Sequence, residues 1–166
     1  MCYNPLYYII KESALSKACS DVTDEYKNNS TPGIGTKEYE VGYVKERHSE
    51  EIKMADWLHQ KLGGDITLLK ENSNEYWRMT ADYNWKGRLW ELKTVGSVKA
   101  VDKALRKAIN QIKPNPGGVI IDFGTKPVTP ANAESLIQER INTSANFSLD
   151  VLLLHNGELF KALRFK

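Results

Sequence analysis

The sequence has few of the residues that mark disulfide-rich, zinc-binding or membrane-spanning proteins. It contains 2 cysteines in 166 residues, both near the start, at Cys2 and Cys19. Two such cysteines do not make a disulfide framework, and no Cys/His cluster has the spacing of a zinc site. The apolar run at residues 5–10 is too short for a signal-peptide core, and no segment approaches the length of a membrane span. We therefore expect a soluble protein that acts in the cytoplasm without membrane contact.

The chain also lacks a strong charge of either sign. Its 23 basic and 21 acidic side chains leave a formal net charge of +2, which is too small to predict nucleic-acid binding by itself. An electrostatic argument must therefore depend on where the basic groups fall. The length and the 41% of hydrophobic residues are sufficient for one domain with a core.

Two regions differ in their sequence pattern. Residues 1–38 are predicted to be a variable leader, with a short helix at 6–18 and a flexible connection at 21–35 that is rich in Asn, Ser, Thr, Pro and Gly. Residues 39–166 alternate between helical and strand patterns, in the order α-β-β-β-α-β-α-β-β from residue 49 onward. This order predicts an α/β domain with one mixed sheet flanked by helices.

The stretch at residues 79–94 carries the strongest chemical signal. It is predicted to form two short strands joined at Lys86-Gly87. Because side chains alternate along a strand, Glu91 and Lys93 share one face, and the turn brings Asp82 close to Glu91.

Two carboxylates that share a site repel each other unless a cation or a proton lies between them. Hard oxygen ligands suit Mg²⁺ or Mn²⁺, and a neighbouring lysine can stabilise negative charge that develops on phosphorus. This combination is what phosphodiester hydrolysis needs. The alternative is structural: Glu91 and Lys93 would form a solvated strand face, and Asp82 would be an ordinary acid beside a turn.

Two predicted helices add candidate residues. Glu51 heads an otherwise apolar stripe of the first helix, and a carboxylate is seldom buried without a partner. Alternatively, it lies in the first turn because the helix dipole favours negative charge there. The helix predicted at 98–113 has a basic outer face, which either contacts a phosphate backbone or is solvated surface. Its candidate nucleic-acid contacts are Lys99, Lys103, Arg106, Lys107 and, at the border with the apolar face, Gln111.

The order of elements resembles the restriction-endonuclease-like, or PD-(D/E)XK, nucleases. Their core is a helix, a three-strand meander, a helix and a further strand, with an acid on the second strand and an acid-x-Lys motif on the third. Asp82, Glu91 and Lys93 match these positions, and Glu51 matches the extra acid that many members carry on the first helix. The sequence departs from the family at Ala81, where the motif has proline.

A closer resemblance is to the C-terminal tRNase toxin domains of CdiA contact-dependent growth inhibition proteins. It covers the chain roughly from residue 39 to the end. The shared elements are a helix with Glu and Ala four apart, a Gly-rich helix end, an acid followed by an aromatic residue, a Trp-Glu-Leu-Lys strand, a basic helix ending in Gln, and an apolar strand closing in Asp. In this sequence they are Glu51 to Ala55, Gly63-Gly64, Asp82-Tyr83, Trp90-Glu91-Leu92-Lys93, Arg106 to Gln111 and Val119 to Asp122.

This resemblance implies a toxin-type ribonuclease that cleaves tRNA with Mg²⁺ (or Mn²⁺). Asp82 and Glu91 would hold the metal with help from Glu51. Lys93 would orient the attacking water or stabilise the transition state, while Arg106, Lys107 and Gln111 would contact the substrate. The resemblance also implies a cognate immunity protein and delivery or encoding within a larger secreted toxin or mobile element.

Two alternatives remain open. One is a metal-independent RNase of the barnase/EndoU/colicin/RelE-like group, in which side chains alone do the acid–base work. The other is a non-catalytic nucleic-acid-binding or protein-interaction module that uses the basic helix and the aromatic residues Tyr83, Trp85 and Trp90, which it requires to be exposed.

Overall fold

One mixed sheet of eight strands forms the centre of the computed structural model, which describes residues 17–71 and 80–166. The strands are β1 (Cys19–Asp21), β2 (Lys37–Tyr39), β3 (Ile66–Leu68), β4 (Tyr83–Trp85), β5 (Arg88–Thr94), β6 (Pro116–Asp122), β7 (Leu149–His155) and β8 (Glu158–Phe165). The helices are α1 (Thr23–Asn28), α2 (Ser49–Lys61), α3 (Val98–Ile112) and α4 (Glu134–Ser144), and 3₁₀ turns lie at Lys45–Arg47 and Pro130–Ala133.

The strands follow the spatial order β1-β8-β7-β6-β5-β4-β3-β2. The inner strands β5, β6 and β7 are parallel to one another, β2 is parallel to β3, and the other neighbours are antiparallel. From residue 49 onward the order of helices and strands is the predicted one, so the prediction of an α/β fold with a mixed sheet is confirmed. Its assignment to the restriction-endonuclease-like class stays a prediction.

Helices cover both faces of the sheet. On one face, α3 and α4 pack their apolar sides against Val119 and Ile121 of β6. On the other face, Ala55 and Leu58 of α2 pack in the cluster that contains Ile120. The consecutive residues Val119, Ile120 and Ile121 of β6 are therefore all fully buried, as an apolar run without alternation predicts.

Part of the predicted leader belongs to the sheet. β1 pairs with the end of β8, with Cys19 opposite Phe165, and β2 pairs with β3. The described residues before 39 are thus held by backbone pairing at both sheet edges and by the packing of Val22 and Tyr26 on the core. Most of the helix predicted at 6–18 and the start of the predicted hairpin at Met79 lie outside the described residues.

Two further boundaries differ from the expectation. β4 begins at Tyr83, so Asp82 precedes the strand and Ala81 packs on the opposite side of the sheet from Tyr83. For the last helix, the Thr129-Pro130 pair predicts a start at Ala131; the structure has a 3₁₀ turn at Pro130–Ala133, and the α-helical part begins at Glu134. Within the described ranges, no helix combines the length and apolar character needed to cross a bilayer.

Gly63 ends α2 in a left-handed conformation, with φ of +72°, where a Cβ atom would overlap the carbonyl oxygen of Thr31. We expect Gly63→Ala to lower the free energy of unfolding by about 2–4 kcal/mol, because it adds left-handed strain and displaces packed backbone. Urea unfolding measures this loss.

Gly33→Ala is the matched control for this prediction. Gly33 has nearly the same φ, +74°, but no atom of residues 17–71 or 80–166 lies within 4 Å of the position that its Cβ would take. Only the conformational cost of about 1 kcal/mol is expected there. Equal losses in the two variants would contradict the close packing at Gly63.

Candidate active site

A tight turn places the two strands of the central hairpin against each other. Lys86 and Gly87 have φ of +53° and +80°, the left-handed pair that a two-residue hairpin turn requires. Tyr83 of β4 consequently lies opposite Trp90 of β5. The hairpin register brings the residue before β4, Asp82, beside the middle of β5.

Asp82 and Glu91 are joined by hydrogen bonds from backbone N–H groups. Asp82 N–H donates to Glu91 Oε2 at 3.1 Å, and Leu92 N–H donates to Asp82 Oδ2 at 2.8 Å. The Glu91 carboxylate is therefore held by the residue before β4, and the Asp82 carboxylate is held by β5. The structure brings these two predicted site residues together without a mediating side chain.

Lys93 completes the group on β5. Its Nζ donates to Glu91 Oε1 at 2.7 Å. Glu91 is 3% exposed and the Lys93 side chain is 21% exposed, so Glu91 does not lie on a solvated strand face. Lys93 can reach solvent or a ligand, whereas Glu91 is covered by the fold.

The electrostatics of the pair disfavour two free carboxylate charges. Burial raises the pKa of Asp82 well above its usual range, and the neighbouring carboxylates of Glu91 and Glu51 raise it further. Burial also raises the pKa of Glu91, against the lowering effect of Lys93. A proton or a cation at this position would relieve the repulsion.

Glu51 lies close enough to Asp82 to influence its pKa, but other side chains hold its carboxylate. Glu51 Oε2 accepts a hydrogen bond from the Tyr43 hydroxyl at 3.0 Å, and Oε1 lies 3.1 Å from His48 Nδ1. The Tyr83 hydroxyl donates to the backbone carbonyl of Glu51 at 2.7 Å. The start of α2 is thereby tied to β4.

Tyr43 and His48 were absent from the predicted site. Their rings lie 5.2 Å apart between centroids, and both contact Glu51 across a connection that has no regular hydrophobic pattern. Tyr39, Val41 and Tyr43 alternate with charged or small residues, which is typical of an edge strand or an extended arm and does not indicate a site. The proximity of Tyr43 and His48 to Glu51 is a tertiary contact that this alternation does not encode.

Two residues of the site have side chains that suit a hard divalent cation. The carboxylates of Asp82 and Glu91 are adjacent oxygen ligands whose charges lack full compensation, the chemistry that suits Mg²⁺ or Mn²⁺. Within residues 17–71 and 80–166, however, no three His, Cys, Asp or Glu side chains are arranged as a metal-binding group. The predicted third ligand, Glu51, already has both oxygens engaged by Tyr43 and His48.

The basic face of α3 is exposed as predicted, and Gln111 is not part of it. The exposed side chains are Lys99, Lys103, Arg106 and Lys107. Gln111 is half-buried, and its Nε2 donates to the carbonyl of Thr80 at 3.3 Å. Gln111 therefore ties α3 to the chain that leads into Asp82.

Comparison with known proteins supports the fold alone. No protein-family model matches the chain, and no curated protein matches it. Among solved structures, a CdiA-CT/CdiI toxin and immunity complex from Burkholderia pseudomallei is similar, with a TM-score of 0.50 and 14% sequence identity, covering 78% of this chain and 98% of that chain. The resemblance to CdiA C-terminal domains is therefore supported for the fold and not for the residues of the site.

The raised pKa of Asp82 predicts that stability falls as the pH rises. The folded protein holds the Asp82 proton above the pKa of an unfolded aspartate, so between about pH 4 and the raised pKa the folded state binds more protons than the unfolded state. We expect the free energy of unfolding in EDTA to decrease from about pH 5 to about pH 8. The decrease should be smaller in Asp82→Asn, because an amide oxygen can still accept from Leu92 without titrating.

Asp102→Asn is the control of opposite sign. The Arg140 guanidinium holds the pKa of Asp102 below its usual value, so the stability it contributes is lost only as the pH falls through that lowered pKa. Its replacement should leave the slope between about pH 5 and 8 unchanged. Identical slopes for the wild type and Asp82→Asn in urea unfolding would refute the assignment.

Proposed function

We propose that this protein is a toxin-type nuclease that hydrolyses phosphodiester bonds, with RNA, and tRNA in particular, as its substrate. The observation that carries the proposal is the carboxylate pair of half-buried Asp82 and buried Glu91, with Lys93 Nζ 2.7 Å from Glu91 Oε1. Metal-assisted phosphodiester hydrolysis requires two acids and an ammonium group in one site from which water is partly excluded.

Each side chain has a role that follows from its position. Asp82 and Glu91 hold the Mg²⁺ (or Mn²⁺) ion, which supplies Lewis-acid stabilisation of charge on the phosphate. The N–H groups of Leu92 and Asp82 fix the directions of these two carboxylates. Lys93 places positive charge where negative charge develops on the phosphate oxygens.

The surrounding residues support substrate binding. Glu51, positioned by Tyr43 and His48, adds negative charge near Asp82 and thereby strengthens the attraction for a cation. The exposed lysines and arginine of α3 contact the phosphate backbone, which is a sequence-independent, salt-sensitive interaction. These contacts attract nucleic acid locally, although the net charge of the whole chain is low.

The toxin part of the proposal is supported by the fold likeness. The similar structure is, by its title, a toxin in complex with an immunity protein. For this chain we infer a cognate immunity partner, delivery or encoding as part of a larger secreted toxin, and action in the cytoplasm of the target cell.

A second candidate function is metal-independent RNA cleavage. Tyr43 and His48 lie on the two oxygens of Glu51, and such groups can transfer protons without a metal ion. The third candidate is a nucleic-acid-binding or protein-interaction module without catalytic activity. Cleavage measured with and without metal separates the three.

Cleavage of total tRNA in Mg²⁺ should be lost in EDTA and reduced at least about 100-fold by Glu91→Gln, which removes a carboxylate that would hold the metal ion, or by Lys93→Ala, which removes the ammonium that stabilises charge on the phosphate. Plasmid DNA is the parallel substrate. Initial rates on denaturing gels give the measurement.

The matched controls for these variants are Glu50→Gln and Lys53→Ala. Glu50 and Lys53 form an exposed ion pair on α2, each 72% exposed in its side chain, and should tolerate replacement with no loss of cleavage. Cleavage that persists in EDTA would select the metal-independent candidate. Tight tRNA binding without cleavage of either substrate by the wild type would select the binding module.

Mg²⁺ should also stabilise the protein through the carboxylate pair. Because the cation binds only the folded arrangement of Asp82 and Glu91, we expect Mg²⁺ to raise the thermal midpoint of the wild type near about pH 8. The shift should vanish in Glu91→Gln and remain in Glu50→Gln. Differential scanning fluorimetry measures these shifts of the thermal midpoint. An equal shift in all three proteins would show that the ion binds elsewhere.

A further inference from the structure

A cavity of about 460 Å³ lies at one end of the sheet, away from the carboxylate pair. It opens where β5, β6 and β7 begin and β8 ends, and its lining includes Arg88, Pro116, Leu149 and Lys166. Arg88 precedes Glu91 by three residues on β5, which is about 10 Å along a strand. The cavity is therefore separate from the acid site but shares a strand with it.

Aromatic side chains form one wall of the cavity. Trp85 and Trp90 pack edge to face with ring centroids 4.9 Å apart, and the Tyr26 centroid lies 6.4 Å from that of Trp85. Trp90 lies at this wall because Gly117 has no Cβ, which would overlap its Nε1. A bulkier residue at position 117 would displace the indole.

The Trp90 indole N–H lacks an acceptor within the described part of the chain. By contrast, the Trp85 indole N–H donates to the carbonyl of Gly63 and that of Trp57 donates to the carbonyl of Gly157. Trp90 as a whole is only 6% exposed, but its Nε1 lies beside Gly117, which lines the cavity. The Trp90 N–H at the wall of the cavity is available to a ligand.

The charges that line the cavity leave an excess of positive charge. Its two acids, Asp150 and Glu25, are both paired with Arg164 at 2.9 and 2.8 Å. The remaining charged lining residues, Lys86, Arg88 and Lys166, are exposed, and none has an ion pair among residues 17–71 and 80–166. Lys86 Nζ lies over the Trp85 ring, 4.9 Å from its centroid.

We propose that this cavity binds one nucleotide of the substrate strand, with the base against Tyr26 and Trp90 and the phosphate at Arg88 and Lys166. Aromatic surface together with cations is the combination that single-stranded nucleic acid requires. An apolar ligand would leave the cations without a partner, and a small inorganic anion would leave the aromatic wall unused. The identity of the ligand rests on the proposed nuclease function.

The position of the cavity narrows the substrate class. A nucleotide held there is remote from the bond that would be cleaved at Asp82 and Glu91. Because side chains alternate along β5, Trp90 and Glu91 project to opposite faces of the sheet. A nucleic acid that contacts both sites must therefore pass around the end of the sheet, which a large folded molecule can do more readily than a short oligonucleotide. The cavity thus favours a large structured RNA over short single strands.

Nucleotide binding can be measured without cleavage. The Glu91→Gln protein in EDTA is titrated with AMP, CMP, GMP and UMP, and with inorganic phosphate, while the Trp90 indole N–H resonance is followed by NMR. We expect a saturable shift with at least one nucleotide and weaker binding of phosphate. The double variant Arg88→Ala/Lys166→Ala should weaken nucleotide binding about tenfold or more, because it removes two charge-assisted contacts.

The double variant Lys53→Ala/Lys61→Ala is the matched control, since it removes the same charge from exposed positions outside the cavity. It should bind nucleotide as the parent does. No saturable shift with any nucleotide, equal binding of inorganic phosphate, or full binding by Arg88→Ala/Lys166→Ala would each overturn the proposal. Nucleotide binding as expected in a protein that cleaves no nucleic acid would support the cavity site and refute the nuclease function alone.

A cleavage measurement tests the substrate class. In the otherwise wild-type enzyme, Arg88→Ala/Lys166→Ala should raise KM for tRNA several-fold and leave kcat/KM for a short single-stranded oligonucleotide unchanged. An equal effect on both substrates would contradict a contact remote from the cleaved bond.

Discussion

The burial of two neighbouring carboxylates is the constraint on which the candidate site depends. Asp82 and Glu91 could not be placed together inside the fold without donors, and these come from the N–H groups of Asp82 and Leu92 and from Lys93 Nζ. The donors are positioned by the tight turn of the hairpin, so one local backbone conformation determines the whole arrangement. The remaining electrostatic strain appears as the raised pKa of both acids, which a cation would relieve.

β5 connects this site to the rest of the molecule. It lies between β4 and β6 in the sheet, and its two faces contribute to different cores. Glu91 and Lys93 project toward the face covered by α3 and α4, while Trp90 projects toward the face covered by α2. One strand thus carries the acids at its middle, on one face of the sheet, and contributes to an aromatic, positively charged cavity at its beginning, on the other face.

Local sequence signals predicted the parts of the structure that are set locally. The Lys86-Gly87 turn, the shared face of Glu91 and Lys93, and the two-sided burial of β6 follow from residue type and alternation. The short strands β1 and β2 could not be predicted in this way, because their side chains are largely exposed and backbone pairing holds them. The contacts of Tyr43 and His48 with Glu51 depend on tertiary packing, and the same is true of the Gln111 bond to Thr80.

The carboxylate pair, and not the fold likeness, carries the proposed nuclease function. At 14% identity a shared backbone says little about which side chains line a site, since one fold supports many functions. The sheet itself has no need of the acids, because apolar residues of similar volume in place of a buried ionic group are often neutral or stabilising. A hairpin that holds two acids and a lysine in its interior, at a cost in stability, is therefore better explained by chemistry than by folding.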